Sequence, residues 1–354
     1  MASVSVIMST YNSDENYLKN AIESILNQSY KDFEFIIVID GSSNDDEKII
    51  KSYNDSRIKI INNKVNLGLA ESINRAINVS RGKYIARMDS DDISFFYRLE
   101  KQVQYLEKNN DIDILGTFAK YIGESKKASL TPLNSNKEIH VSLLFGQVLL
   151  HPTVMIRKKF LIENDLKYNP EFVFAQDFDM WTRCADVGNM KIYPEILLFL
   201  RKHSKQISTE KNEYQRDYAE KIIKKQLDKF GITYDNQEFN MHLMLTGLKK
   251  IEINNLTDIS NWINKIASHN ETADLYDQAI VYKVFCNRLF NIYFKLPISK
   301  IYLLIIALKT NKFRRQIFNS FNLRMLVNRI RHLIKANCQL LIYKYKERKH
   351  LIGG

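Results

Sequence analysis

Short apolar runs and amphipathic segments alternate along the first part of the chain. Apolar runs of strand length lie at 4–10, 33–40, 58–63 and 83–89. Segments with apolar residues at helical spacing lie between them, at 16–28, 45–54 and 68–79. Nearly continuous apolar strands that alternate with helices are typical of a parallel sheet covered on both faces. The N-terminal part therefore predicts an α/β fold with a mostly parallel sheet.

Three of these predicted strands end in polar residues, at 10–12, 40–42 and 89–92. Ligands of parallel sheets bind outside the carboxyl ends of the strands, so one ligand-binding edge is expected there. Asp89, Asp91 and Asp92 fall within four positions, and such close carboxylates repel one another unless a cation or donors hold them. Hard divalent cations take oxygen ligands of this kind and often share them with phosphate groups. The acids therefore predict a metal site.

A second interpretation of the acids is local. Asp is favoured at the N-cap and in the first turn of a helix, and the segment ISFFYRLEKQVQYLEK follows Asp92. Capping would account for Asp92 alone but not for three acids after one buried strand. The sequence contains neither a GxxxxGK[ST] loop nor a GxGxxG turn, so it gives no support to a P-loop or a dinucleotide fold.

The composition favours a reduced, intracellular protein. A chain of 354 residues is long for one core, so two domains are expected. The three cysteines are far apart and form no CxxC pair, which argues against a disulfide scaffold or structural zinc. The N-terminus does not resemble a signal peptide, and the apolar run at 301–308 is too short to span a membrane. We expect a cytoplasmic protein, soluble or peripheral to a membrane.

Helical periodicity dominates after about residue 210, with segments near 240–253, 257–268 and 271–293. Residues 295–354 contain eight Lys and six Arg against one acid, a net charge of +13 in a chain of +12. Basic residues mixed with apolar and aromatic ones predict an interfacial helix that binds an anionic membrane surface. Two alternatives are a helical subdomain with solvated charges and a nucleic-acid-binding tail with strongly salt-dependent affinity.

Five stretches, in order along residues 3–210, resemble the family 2 glycosyltransferases, which are inverting enzymes of the GT-A fold. They are VSVIMSTYN, SILNQSYKDFEFIIVIDGSSNDD, NLGLAESINRAINVSRGKYIARMDSDD, HPTVMIRK and QDFDMWTRC. The resemblance implies transfer of a sugar from a nucleotide-sugar, usually a UDP-sugar, to an acceptor hydroxyl. Many members build bacterial surface polysaccharides such as O-antigen or capsule, which implies a glycan acceptor, expected to be lipid-linked.

The resemblance assigns the nucleotide to the loops at the predicted sheet edge. Thr10 and Tyr11 of STYN match the first nucleotide-contacting loop, with Tyr11 against the base. Asp40 of DGSS matches the acid that binds the uracil N–H, and Asp89 of DSD is expected near the ribose. Asn66 of NLGLAES is expected in a loop beside the nucleotide, although a turn or cap role would explain it equally well.

The resemblance also implies the chemistry. Asp91 of the DxD motif is expected to bind Mn²⁺ or Mg²⁺, and His203 of RKHSKQIS is a further candidate ligand. The ion would neutralise charge on the leaving UDP. Asp177 occupies the place of the base, which takes the acceptor hydroxyl proton as that oxygen attacks the anomeric carbon. A single displacement inverts this carbon, so an α-linked donor gives a β-linkage.

Two positions depart from the family pattern. Ile39 stands where many members have an Asp, and Gln176 stands where the motif before Asp177 usually has Glu. A neutral Gln176 places no like charge beside Asp177, so we expect a lower pKa for that carboxyl. His151 is expected to shape a turn, and Trp181 to pack in the core, with acceptor contact as the alternative for Trp181.

The chain is therefore predicted to have three parts: a GT-A domain at 1–210, a helical extension at 211–294 and a membrane-associating region at 295–354. It would lie on the inner face of a bacterial membrane. A nucleotidyltransferase is a rival class, but it needs an early basic loop for a triphosphate, and STYNSDEN has no Lys or Arg. A nucleic-acid partner leaves the N-terminal acids unexplained and is not expected. An inactive member of the family is the remaining alternative.

Overall fold

The computed structural model describes residues 3–124, 128–129, 133, 135–203, 212–251 and 255–293. The chain divides into two compact units, Met1–Gly231 and Ile232–Gly354. The basic region expected at 295–354 lies outside the described residues, so its membrane contact stays a prediction. Among the residues that are described, none of the helices has the length and apolarity needed to cross a membrane.

The described part of the first unit contains a nine-stranded mixed sheet. Its strands are β1 (Val4–Thr10), β2 (Phe33–Asp40), β3 (Ile58–Asn63), β4 (Tyr84–Asp89), β5 (Ile93–Ser94), β6 (Ile114–Gly123), β7 (Ala128–Ser129), β8 (Met155–Arg157) and β9 (Met190–Lys202). The order is β3-β2-β1-β4-β8-β6-β9-β5, with β7 beside β6. The first four strands are parallel, and β8 runs antiparallel between β4 and β6. The predicted α/β class is confirmed.

Helices flank this sheet. They are α1 (Glu15–Leu26), α2 (Asp46–Lys51), α3 (Leu69–Val79), α4 (Arg98–Lys108), α5 (Asn136–Leu143), α6 (Lys158–Glu163), α7 (Gln176–Val187) and α8 (Asn212–Phe230). The first three coincide with the helices predicted from apolar spacing. All eight residues of β2 and six of the seven in β1 are buried, so the apolar runs are continuous, as expected for central strands.

The strand register brings three polar strand ends to one edge of the sheet. Ser9 of β1 lies beside Asp89 of β4, and Thr10 lies beside Ile39 of β2. One residue further, Asp40 pairs with Asn63 of β3. The prediction that residues 10–12, 40–42 and 89–92 meet at one edge is therefore confirmed.

The interpretation of Asp92 as a helix N-cap is wrong. The next residues, Ile93–Ser94, form β5 and pair with Phe199 and Leu198 of β9. Helix α4 begins only at Arg98, with Tyr97 at its N-cap position. Strand pairing with residues more than 100 positions away outweighs the local helix signal in this segment.

The second unit is helical in its described residues. It contains α9 (Asn236–Thr246), α10 (Leu256–Ala273) and α11 (Gln278–Tyr293). A capping box of Asp235 and Glu238 begins α9, and the buried Trp262 Nε1 donates to His242 Nδ1 at 3.2 Å. The helical character expected after residue 210 is confirmed, whereas the division at residues 210 and 294 stays a prediction.

Candidate active site

A network of hydroxyl groups joins the ends of β1, β2 and β4. Thr10 Oγ1 and Ser42 Oγ each donate to Asp46 Oδ2 at 2.8 Å. Ser13 Oγ lies 2.7 Å from Thr10 Oγ1 and 2.8 Å from Ser90 Oγ, in the turn that carries the acids. Asp46 is completely buried. The loops after three strands are therefore held together by one buried carboxylate.

Asp40 holds the loop that precedes α3. It is only 2% exposed, and its Oδ1 accepts from Asn63 Nδ2 at 2.8 Å and from the Leu67 N–H at 2.9 Å. Its Oδ2 accepts from the Gly68 N–H at 2.9 Å. Asp40 therefore stabilises the loop that contains Asn66 through these two backbone hydrogen bonds. The expected contact of Asp40 with a base stays a prediction.

Tyr11 and Asn66 are exposed at this edge of the sheet. Contacts with residues of the loop after β2 hold the loops that carry them. Tyr11 is 53% exposed, and the adjacent Asn12 accepts from the Ser43 N–H at 2.8 Å. Gly41 packs directly on the Asn66 backbone: a Cβ on Gly41 would lie 2.4 Å from Asn66 N, and its φ is +71°. Only glycine fits this close approach at positive φ. Both side chains remain accessible to a ligand.

The three acids after β4 lie together. One carboxylate oxygen from each of Asp89, Asp91 and Asp92 falls within 4.8 Å of the others. The buried Arg87 donates to Asp89 Oδ1 at 2.5 Å, which offsets part of the negative charge. Burial, followed by the charge of Asp89, raises the pKa of Asp91, and burial raises the pKa of Asp92 well above its usual value. The cluster therefore favours a bound positive charge.

The end of β9 closes over these acids. The Arg201 N–H donates to Asp92 Oδ1 at 2.8 Å, and Arg201 Nε donates to the Asp91 carbonyl at 2.8 Å. His203 Nε2 lies 3.1 Å from Asp91 Oδ2. Tyr17 of α1 contacts both Arg201 and His203. The Arg201 guanidinium lies 4.1 Å from the centre of the Tyr17 ring, and the His203 ring centre lies 5.4 Å from it. Strands β4 and β9 thus supply one site.

The donor set fits a divalent cation. Asp92 Oδ2 is buried and has no hydrogen-bond partner within the described part of the chain, so it is available to bind a cation. Carboxylate oxygens with one imidazole nitrogen suit Mn²⁺ or Mg²⁺. Asp91 and His203, the two predicted ligands, already share a contact, whereas Asp89 is engaged by Arg87. The ligand atoms of these residues are of the kind that the predicted Mn²⁺ or Mg²⁺ site requires.

Asp177 is the second residue of α7 and lies partly buried. Its Oδ1 accepts from the Phe178 N–H at 2.8 Å, and its Oδ2 accepts from Gln147 Nε2. Burial raises the pKa of Asp177 to about 6, and the charge of Asp89 acts in the same direction. Asp177 is therefore within electrostatic reach of the acid cluster, and its carboxylate can both hold and release a proton near neutral pH.

The expectation that a neutral Gln176 leaves Asp177 with a lower pKa than a Glu at that position would stays a prediction. Gln176 is itself buried, and its Oε1 has no hydrogen-bond partner among the described residues. The largest influence on the pKa of Asp177 is burial. Removal from water is a property of the folded chain, and it raises the pKa of Asp177 although its neighbour Gln176 carries no charge.

His151 and Trp181 have structural positions. His151 begins a 3-10 turn, and its Nε2 lies 3.0 Å from the Tyr168 hydroxyl. Burial lowers the pKa of His151 well below its usual value, so the ring is neutral. Trp181 is completely buried, with its ring centre 6.0 Å from that of His151. Both structural interpretations are confirmed, and the alternative of acceptor contact by Trp181 is excluded by its burial.

Four residues of the site were not identified from the sequence. Arg201, Tyr17, Asp46 and Gln147 all contact residues of the candidate site. Arg201 lies in the segment RKHSKQIS, and that segment was the available signal. The other three come from helices or loops whose proximity to the acids depends on tertiary structure.

Comparisons with known proteins agree with this geometry. The profile described as "Glycosyl transferase family 2" matches residues 5–169. An uncharacterized glycosyltransferase of Methanocaldococcus jannaschii is 44% identical over 205 residues, which are 56% of this chain and 70% of that protein. The O-antigen biosynthesis glycosyltransferase WbnJ of Escherichia coli is 36% identical over 220 residues, 59% of this chain and 82% of that protein. The chain belongs to glycosyltransferase family 2.

The fold comparison gives the same class. The crystal structure of Staphylococcus aureus TarS 1–349 superposes with a TM-score of 0.54 at 17% identity, covering 82% of this chain and 89% of that one. The expected GT-A architecture, an α/β domain followed by a mainly helical region, is confirmed. Membership of the family also sets aside the nucleotidyltransferase as an alternative class.

Proposed function

We propose that the protein is a metal-dependent, inverting glycosyltransferase that moves a sugar from a UDP-sugar to a hydroxyl of a glycan acceptor. The donor would be a UDP-hexose or UDP-N-acetylhexosamine, and the product a β-linkage in a bacterial surface polysaccharide. The observation that carries this proposal is the combination of the Asp91–His203 pair with Asp177 in electrostatic reach of the same acid cluster. The Asp91–His203 pair can bind a metal-chelated diphosphate, and Asp177 can accept a proton.

On the donor side, the exposed Tyr11 would stack on the base, beside the buried Thr10. Asp40 and Asn66 would complete the nucleotide site. Asp40 would contribute by stabilising the loop that contains Asn66. Asp89, oriented by Arg87, would lie near the ribose. TarS, whose fold is similar, has been solved with UDP and with UDP-GlcNAc, and UDP is therefore the first nucleotide to test.

Asp91 and His203 would hold Mn²⁺ or Mg²⁺. When bound, the ion would neutralise the charge that develops on the leaving nucleoside diphosphate. Arg201 fixes this turn through the Asp91 carbonyl and the Asp92 carboxylate, so the ligands are held in place before the donor arrives.

Asp177 would act as the base. Its ionised carboxylate would accept the acceptor hydroxyl proton while that oxygen attacks the anomeric carbon and the bond to the diphosphate breaks. One displacement of this kind inverts the anomeric carbon. The carboxylate is ionised in most molecules at pH 7, because its pKa is about 6.

The acceptor is proposed to be lipid-linked, and the enzyme to work as a peripheral protein at the inner face of the bacterial membrane. Support comes from the relative WbnJ, which is described as an O-antigen biosynthesis enzyme, and from the net charge of +13 in residues 295–354. A basic region with apolar residues is attracted to anionic lipid.

Release of UDP from UDP-glucose, UDP-galactose, UDP-GlcNAc and UDP-GalNAc, each with Mn²⁺, tests the proposed activity. We expect release from one of them, abolished by EDTA and by Asp91→Ala. Asp165→Ala is the matched control, because Asp165 is an exposed surface acid that pairs with Lys167. Release that is unaffected by EDTA, or equal loss in both variants, would contradict a metal-dependent transferase.

A further inference from the structure

Gln147 contacts the carboxylate that the proposed function uses as the base. Its Nε2 donates to Asp177 Oδ2 and also to the Leu149 carbonyl at 2.9 Å. A primary amide has two N–H donors, and both have an oxygen acceptor in this geometry. The reversed amide would place Oε1 against these two oxygens, so the hydrogen-bond network defines one orientation. The amide nitrogen of Gln147 therefore faces Asp177.

The loop that carries Gln147 is fixed by the buried residues that follow it. Gly146 precedes it with a φ of +128°, a conformation that favours glycine. Val148 and Leu149 follow it, and both are buried. Gln147 itself is exposed. The burial of its neighbours fixes the backbone, and the contact with the Leu149 carbonyl fixes the end of the side chain.

The two oxygens of Asp177 have different donors. Oδ1 accepts from the Phe178 N–H at 2.8 Å, in the first turn of α7, where the helix dipole favours negative charge. Oδ2 accepts from Gln147. Each donor stabilises the ionised form, which opposes the effect of burial and of the charge at Asp89. Gln147 is the donor that a side-chain substitution can remove.

We propose that Gln147 is the positioning residue of the base, holding Asp177 Oδ2 in one orientation and in its ionised, proton-accepting form. The inference rests on the proposed role of Asp177 as the base. Gln147 would not transfer the proton itself. It acts through Asp177, in the way that a third group orients the base of other catalytic sites. The alternative is that Gln147 only closes its own loop through the Leu149 carbonyl.

A ¹³C titration of aspartate carboxyl groups separates these two roles without any substrate. Asp177→Asn identifies the Asp177 resonance by its disappearance. In the unaltered protein we expect this group to titrate near 6. Gln147→Met keeps the length of the side chain and removes the donor, so the midpoint should rise by about one pH unit. Gln147→Glu replaces the donor by a second acid and should raise it further.

The matched control is Gln104→Met. Gln104 is also exposed, and its Nε2 donates to a carboxylate, that of Glu100, at 3.2 Å. The Asp177 midpoint should be unchanged in this variant. Thermal unfolding of all variants shows whether each is folded. A midpoint in Gln147→Met within about 0.3 unit of the unaltered protein, roughly a third of the expected rise, would overturn the proposal.

Kinetics supply a second, independent readout. With the donor sugar that the release assay identifies, Gln147→Met should lower kcat roughly 5- to 10-fold at pH 6 and by less than about threefold at pH 8.5, with KM for the donor unchanged. Equal losses at both pH values would indicate the loop role alone. If Asp177→Asn retained full transfer, the proposed base would be wrong, while the carboxyl titration would still report whether Gln147 controls Asp177.

Discussion

His203 Nε2 lies 3.1 Å from Asp91 Oδ2, although 112 positions separate the two residues in the sequence. Asp91 follows the parallel strand β4, and His203 follows the last strand, β9. The pairing of β5 with β9 brings these two segments together, and two hydrogen bonds from Arg201 to Asp91 and Asp92 hold them there. The candidate metal site therefore exists only when the sheet is complete.

Substitution of His203 tests whether this pair binds metal. In His203→Gln, affinity for Mn²⁺ in the presence of UDP should fall at least about tenfold, because a neutral nitrogen ligand is lost while the carboxylates remain. Calorimetric titration of Mn²⁺ measures the effect. His269→Gln, in the second unit, provides the control and should bind normally. Unchanged affinity in His203→Gln would remove His203 from the site.

Substitution of Asp177 tests the base. Asp177→Asn should lower kcat by roughly 10²- to 10⁴-fold, because the proton acceptor is removed, while the KM for the nucleotide-sugar stays near that of the unaltered enzyme. Steady-state kinetics over a range of donor concentrations separates the two constants. A variant that kept most of its kcat would show that another group takes the proton.

The pH dependence of kcat follows from the same carboxylate. Burial raises the pKa of Asp177 to about 6, the charge of Asp89 acts in the same direction, and the donors Phe178 N–H and Gln147 act against it. Since the base works only when ionised, kcat should rise with pH through about 6 and level off above pH 7. Any residual rate of Asp177→Asn should lack this rise. A midpoint near 4 would mean that the substrate complex exposes the carboxylate to water.

Gly41→Ala tests the close approach of Gly41 to the backbone of Asn66. The new Cβ would lie 2.4 Å from Asn66 N at a φ of +71°, so we expect a loss of unfolding free energy of about 2 kcal/mol or more and a higher KM for the donor. Gly68→Ala is the matched control, since Gly68 has a φ of +86° but no atom within 4 Å of a Cβ. Denaturant unfolding compares the two. Equal losses would mean that backbone conformation alone, and not contact with Asn66, requires glycine.

Strands β1, β2 and β4 were predictable because burial on both faces leaves continuous apolar runs in the sequence. Their polar ends and the acids at 89–92 were predictable for the same reason: the edge where parallel strands end is fixed once the strands are known. The start of α4 was not predictable, since the pairing of Ile93 with Phe199 replaces a local cap.

The electrostatics of the base were also hidden from the sequence. The sequence shows that Asp177 has an uncharged neighbour, Gln176, but it does not show that burial raises the pKa of Asp177. Gln147 lies 30 positions away from Asp177 and in no recognised motif, so only tertiary structure brings it to the carboxylate. The residues that we propose perform the chemistry were visible in the sequence, but the groups that contact and orient them were not.

The most direct test of the central claim is thermal unfolding with UDP, GDP, CDP or dTDP, each with and without Mn²⁺. A ligand that binds only the folded state raises Tm by mass action, by an amount that grows with the ratio of its concentration to Kd. We predict a rise with UDP that requires Mn²⁺, disappears in Asp91→Ala and persists in Asp165→Ala. No rise with any nucleoside diphosphate, or an equal rise in Asp91→Ala, would contradict a metal-dependent nucleotide-sugar site at the end of β4.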